Sequence, residues 1–129
     1  MKKYNLLVCD DEVGVRESLK VYLEDDYELS FAKNGQEAVD SAKSNSFDLI
    51  IMDIKMPVLD GAEVIKQIKK AIPEQKIVVL TGYESVSVAG EASKLGISSY
   101  LVKPIGKEKL LKTVQDIIKK SRNGLDIDG

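Results

Sequence analysis

Leu6-Leu7-Val8-Cys9-Asp10-Asp11 sets four apolar residues directly before two carboxylates. A continuous apolar run suits a strand covered on both faces, as the strands of parallel sheets are. The pattern recurs downstream. Leu49-Ile50-Ile51-Met52 runs into Asp53, and Tyr100-Leu101-Val102 runs into Lys103-Pro104. In an open parallel α/β sheet, ligands bind beyond the carboxyl ends of the strands, where the strand order reverses. If these runs are neighbouring strands, three carboxylates and one ammonium converge on one spot. Anions that close repel one another unless a hard cation sits among them. The cluster is therefore a candidate magnesium site with a carboxylate nucleophile in it.

Outward from these runs, strand-like segments alternate with helical patterns. Val15, Leu19 and Leu23 mark a helix face after an acidic start at Glu12. Ala38, Val39 and Ala42 mark a second, following the turn signal Asn34-Gly35. Val64, Ile65, Ile68 and Ile72 mark a third, which Pro73 closes. Leu110, Leu111, Val114, Ile117 and Ile118 mark the last. A weaker helix is expected over Glu84 to Leu95, with the small-residue face Val88, Ala89 and Ala92 and a stop at Gly96. Ile77-Val78-Val79-Leu80 is a further continuous apolar run. Glu28-Leu29-Ser30-Phe31 alternates and Ser98-Ser99-Tyr100-Leu101 is mixed, so both read as edge strands. With right-handed crossovers this predicts a five-stranded parallel sheet of order 2-1-3-4-5. That order puts the reversal between the first and third strands, where Asp10, Asp11 and Asp53 lie.

Composition narrows the classes. The 129 residues suit one ordinary domain, and the net charge of −2 argues against a nucleic-acid-binding surface. No apolar run approaches a membrane span, and the Met-Lys-Lys start leads into too short a stretch for a signal peptide. The single Cys9, inside an apolar strand, reads as a small buried hydrophobe and suits a reducing cytoplasm. The absence of histidine removes the commonest general base and leaves no zinc site. The domain is expected over residues 1–120. The stretch 121–129 lacks helical periodicity and reads as a tail or the start of a linker.

Taken singly, each site residue has a structural explanation. Asp11 or Thr81 could cap a helix, Asp53 could serve a turn before Pro57, and Lys103 could be a solvated lysine at a strand end. Together, "VCDDE", "IMDIKMPVLDG", "VVLTGY" and "SYLVKPI", in that order and spacing, resemble the receiver domain of bacterial two-component response regulators over roughly residues 4 to 119. The resemblance implies a flavodoxin-like doubly wound (βα)5 three-layer sandwich and a CheY-like phosphorylation switch. In it, Asp53 accepts a phosphoryl group from a histidine kinase. Asp10 and Asp11, with Asp53 and the main-chain carbonyl of Lys55, hold Mg2+ or Mn2+. Thr81 bonds the phosphate, Lys103 pairs with it, Pro104 follows a cis peptide bond, and Tyr100 reorients on activation. Pro57 and Gly61 shape the loop after the nucleophile, with a positive φ expected at Gly61.

The same resemblance implies a cytoplasmic protein whose partners are a sensor histidine kinase or phosphotransfer protein. With no histidine of its own, the chain needs an external phosphodonor. Output is expected through the surface of the weak helix, the last strand and the last helix, which leaves room for a homodimer there and for an output domain outside this chain. The stretch from Thr81 to Gly96 looks more like receivers attached to enhancer-binding ATPases or sensor kinases than winged-helix regulators, because Ser98-Ser99 replaces an acidic pair before Tyr100. No membrane contact and no direct nucleic-acid binding by this domain are expected. The chain is read as a phosphoacceptor switch, not an enzyme beyond its own phosphoryl transfer and autodephosphorylation.

Three alternatives compete. A phosphatase of the haloacid dehalogenase type needs a second aspartate two residues after the nucleophile, where this chain has Lys55. A flavin-binding module needs a phosphate-cradling loop after the first strand, where Asp10-Asp11 would repel phosphate. A receiver that works only as a docking module would carry an incomplete site, and this one reads as complete.

Overall fold

A computed structural model describes residues 3–54, 61–82, 90 and 93–128, with side chains up to residue 120. The elements are β1 (Tyr4–Cys9), α1 (Val13–Leu23), β2 (Tyr27–Ala32), α2 (Gly35–Ser44), β3 (Leu49–Met52), α3 (Gly61–Ala71), β4 (Ile77–Thr81), β5 (Ser99–Val102) and α4 (Lys107–Asp128). The strands form one parallel sheet of order β2-β1-β3-β4-β5. The order reverses at β1, which pairs with both β2 and β3. The edge assignments for β2 and β5 are those expected from sequence.

The continuous apolar runs are explained by burial on both faces. Leu7 and Cys9 of β1, Ile50 and Met52 of β3, and Ile77 and Val79 of β4 face one side. There they meet Ala38, Val39 and Ala42 of α2 and Val64, Ile65 and Ile68 of α3. Leu6, Val8, Leu49, Ile51, Val78 and Leu80 face the other side. They meet Leu19 and Leu23 of α1 and Leu110, Val114 and Ile118 of α4. The molecule is thus three layers, helix, sheet, helix. Phe31 departs from its alternating pattern and stays 38% exposed, because β2 is an edge strand.

Local chemistry fixes the helix ends. Asn34 caps α2 by accepting the Glu37 N–H at 2.9 Å, and the Glu37 carboxylate accepts the Lys33 N–H at 2.9 Å. This is a capping box whose return bond lands one residue early. The helix expected over Glu84–Leu95 lies mostly outside the described residues, but Gly90, Ser93 and Lys94 are helical. Gly96 follows with φ 80°, a conformation that favours glycine at a helix end.

One expectation needs correction. Gly61 does not take a positive φ; among the described glycines only Gly96 does. Gly61 is required for a different reason. A Cβ there would stand 2.6 Å from the Ile54 carbonyl oxygen, so the start of α3 closes onto the end of the β3 segment. Residues 121–128, expected as a tail or the start of a linker, continue the main chain of α4 as helix. Apolar periodicity reports packing, and its loss does not stop a nucleated helix that meets no proline. No helix among the described residues is long and apolar enough to cross a membrane.

Candidate functional site

Main-chain pairing carries the site residues to one end of the sheet. Past the strand ends, the Asp10 N–H donates to the Ala32 carbonyl at 3.1 Å and the Asp53 N–H to the Cys9 carbonyl at 3.1 Å. The Lys103 N–H donates to the Thr81 carbonyl at 2.8 Å. Each residue is thus one further rung of a parallel ladder, and its placement follows from the strand register.

The Lys103 ammonium lies 2.8 Å from Asp10 Oδ2, 2.8 Å from Asp53 Oδ2 and 3.0 Å from Glu12 Oε1. Asp10, Asp53 and Thr81 are buried, whereas Asp11 and Glu12 are exposed. The other Asp10 oxygen, Oδ1, accepts the Glu12 N–H at 2.9 Å, and the Asp10 carbonyl accepts from Arg16 Nη1 at 2.7 Å. Burial pushes the Asp10 carboxyl above its usual range, against the opposing pull of its bond to Lys103. Burial works to lower the Lys103 ammonium, but its bonds to Asp10, Asp53 and Glu12 outweigh this and raise it. Cys9, immediately before Asp10, is buried; desolvation, then the Asp10 charge, pushes its thiol up to about 12. It packs as a small hydrophobe, as expected from sequence.

The structure therefore brings together Asp10, Asp53 and Lys103, with Asp11 at the rim and Thr81 at the adjoining strand end. Lys103-Pro104 is a cis peptide. Tyr100 pairs with Val79 across the ladder and is half-buried against the α2–α3 side of the core. The Lys55 carbonyl and Pro57 lie outside the described residues. Two participants were missed. Glu12 reads from sequence only as an acidic helix start, although the run of three acids in "DDE" was the available signal. Arg16, one turn further on, gives no signal of its bond to the Asp10 carbonyl.

Asp10, Asp11, Glu12 and Asp53 can each offer a carboxylate oxygen within 4.8 Å of the others. The donor set is oxygen only and strongly anionic, which fits a hard divalent cation such as Mg2+ and not a soft one.

Comparison with known proteins gives the same picture. The family profile of the response regulator receiver domain matches residues 6–115. The chain is 34% identical over 122 residues to the transcriptional regulatory protein ZraR of Klebsiella oxytoca, covering 94% of this chain and 28% of that one. It therefore spans little more than a quarter of that regulator. The crystal structure of a CheY-like response regulator receiver domain protein from Methanospirillum hungatei superposes with a TM-score of 0.91 at 26% identity, covering 95% of this chain and 99% of the other. A response regulator protein from Burkholderia pseudomallei, solved with a phosphorylated aspartic acid and a calcium ion, superposes with a TM-score of 0.81 at 30% identity, covering 98% and 75%.

Proposed function

The chain belongs to the family of response regulator receiver domains, and we propose that it is the phosphorylation-driven switch of a two-component pathway with Asp53 as its phosphoacceptor. One observation carries this reading: a single ammonium, Lys103, bridges the two buried carboxylates Asp10 and Asp53 at the reversal of the strand order. Phosphoryl transfer depends on positioning and on neutralising charge around the equatorial oxygens. A carboxylate flanked by a fixed cation, among carboxylates that could reach one divalent ion, would supply both.

In the proposed transfer, an Asp53 oxygen bonds to phosphorus as the bond from phosphorus to the donor's imidazole nitrogen breaks. The electron pair stays on that nitrogen. Asp10, Asp11, Asp53 and the main-chain carbonyl of Lys55 are the proposed holders of Mg2+ or Mn2+. When bound, the ion adds positive charge beside the phosphoryl oxygens. Lys103 pairs with one such oxygen and the Thr81 hydroxyl bonds another. Thr81 then moves inward, and Tyr100 turns toward the space it leaves. This reshapes the surface of the β4–β5 connection, β5 and α4. A sensor histidine kinase or phosphotransfer protein is the proposed donor, and the proposed reader is a second copy through that surface or an attached output domain. The reading places the domain in the cytoplasm, where Cys9 stays reduced.

The test is mass measurement after incubation with acetyl phosphate and Mg2+. The expected result is one phosphoryl adduct on the wild type and none on Asp53→Asn. An adduct of equal extent on the Asn variant, or none on the wild type, would remove Asp53 from the role.

A further inference from the structure

Glu12 stands at the N-cap of α1 in an extended conformation, φ −89° and ψ 117°, yet its side chain makes no capping hydrogen bond. Short side chains such as Ser, Asp or Asn suit that position because they reach the free N–H groups of the first turn. The glutamate reaches elsewhere, to Lys103 at 3.0 Å. Removing its carboxylate therefore takes no cap from α1.

An ammonium has three N–H donors. All three of Lys103 have a carboxylate within reach, on Asp10, Asp53 and Glu12. The three acceptors differ in exposure: the side chains of Asp10 and Asp53 are 3% and 5% exposed, that of Glu12 61%. A phosphoryl group on Asp53 requires one of these donors. Withdrawing it from Asp10 would strand a buried carboxylate, which is costly. Withdrawing it from Glu12 returns a carboxylate to water, where the pair was weak already.

We propose that Glu12 is a positioning residue that competes with the phosphoryl group for the third donor of Lys103, and so sets how readily the switch turns on. The proposal rests on the reading of Asp53 as phosphoacceptor. Glu12 opposes phosphoryl binding in two ways. It occupies a donor, and it adds negative charge to a site receiving an anion. The second effect is screened by salt because the side chain is exposed.

The experiment is calorimetric titration of the full chain with beryllofluoride in saturating Mg2+. It compares wild type, Glu12→Gln, Glu12→Ala and Glu12→Asp at low and high ionic strength. Glu12→Gln should bind about two- to five-fold more tightly, the range set by an exposed ion pair. Glu12→Ala should match or exceed it, and Glu12→Asp should fall between Gln and wild type. The gain should shrink at high salt while the melting temperature stays near that of wild type. A purely structural role would not raise affinity, nor make the gain depend on salt. Equal or weaker binding by Glu12→Gln, with the wild type binding normally, overturns the proposal and leaves the Asp53 reading intact. Failure of the wild type to bind the analogue overturns the Asp53 reading, and this inference with it.

Discussion

The Lys103 main-chain N–H donates to the Thr81 carbonyl at 2.8 Å, which makes the two residues consecutive rungs of one ladder. The lysine and the hydroxyl are therefore registered to each other by backbone, and altering either side chain leaves the other in place.

Thr81→Ala should accordingly keep the fold and still bind beryllofluoride. Its stability should fall by only about 0.5–1.5 kcal/mol, the usual net worth of one hydrogen bond. What it should lose is transmission. Amide hydrogen exchange in residues 93–105 should change on analogue binding in the wild type and change less in the variant. An identical response in both would show that Thr81 does not relay the signal.

Asp10 is ionised at a cost, since burial raises its carboxyl even with Lys103 bonded to it. Asn keeps the shape and can still accept the Glu12 N–H, while Lys103 keeps Asp53 and Glu12. Mg2+ at a hundred times its dissociation constant should stabilise the wild type by about 2.7 kcal/mol, and Asp10→Asn far less. Equal metal-induced shifts in a thermal melt would exclude Asp10 as a ligand.

Gly61 and Gly14 should respond oppositely to alanine. At Gly61 the added carbon meets the Ile54 main chain, and overpacking of this kind costs about 1–3 kcal/mol. At Gly14, inside α1, nothing lies within 4 Å of the added carbon. There the loss of unfolded-state freedom should stabilise by about 0.4–1 kcal/mol. Urea unfolding of both variants measures the contrast, and a Gly61→Ala protein as stable as wild type would contradict the close approach.

Tyr27 provides an alkaline pH dependence. Burial, then the nearby Asp26 charge, raises its phenol above the usual value. The folded pKa thus exceeds the unfolded one. The stability it contributes is complete below about pH 10 and is lost as pH rises through the folded value, because the unfolded chain ionises first. Tyr27→Phe should flatten this part of the stability curve. An unchanged slope above pH 10 would assign the effect to other groups.

The sheet and the convergence of Asp10, Asp53 and Lys103 were legible because both depend on apolar runs whose ends coincide with charged residues. Strand ends are fixed by register, so sequence position translates directly into place. Glu12 was not legible as a site member. Its contact crosses from α1 to the turn after β5, and side-chain reach across elements leaves no periodic trace. Gly61 was recognised as special but for the wrong reason, since sequence does not distinguish a glycine needed for φ from one needed for close approach. The extension of the last helix beyond residue 120 left no periodic trace, because periodicity detects a buried stripe and is silent about a helix that lacks one.

Lys103 reaches back 50 positions to Asp53 and 91 to Glu12. The ammonium that bridges the buried carboxylates therefore arrives only with the last strand of the sheet. A fragment ending before that strand lacks the ammonium that bridges Asp10 and Asp53, however well its first strands fold. If Asp53 accepts phosphate as proposed, competence to receive it is a property of the finished sheet.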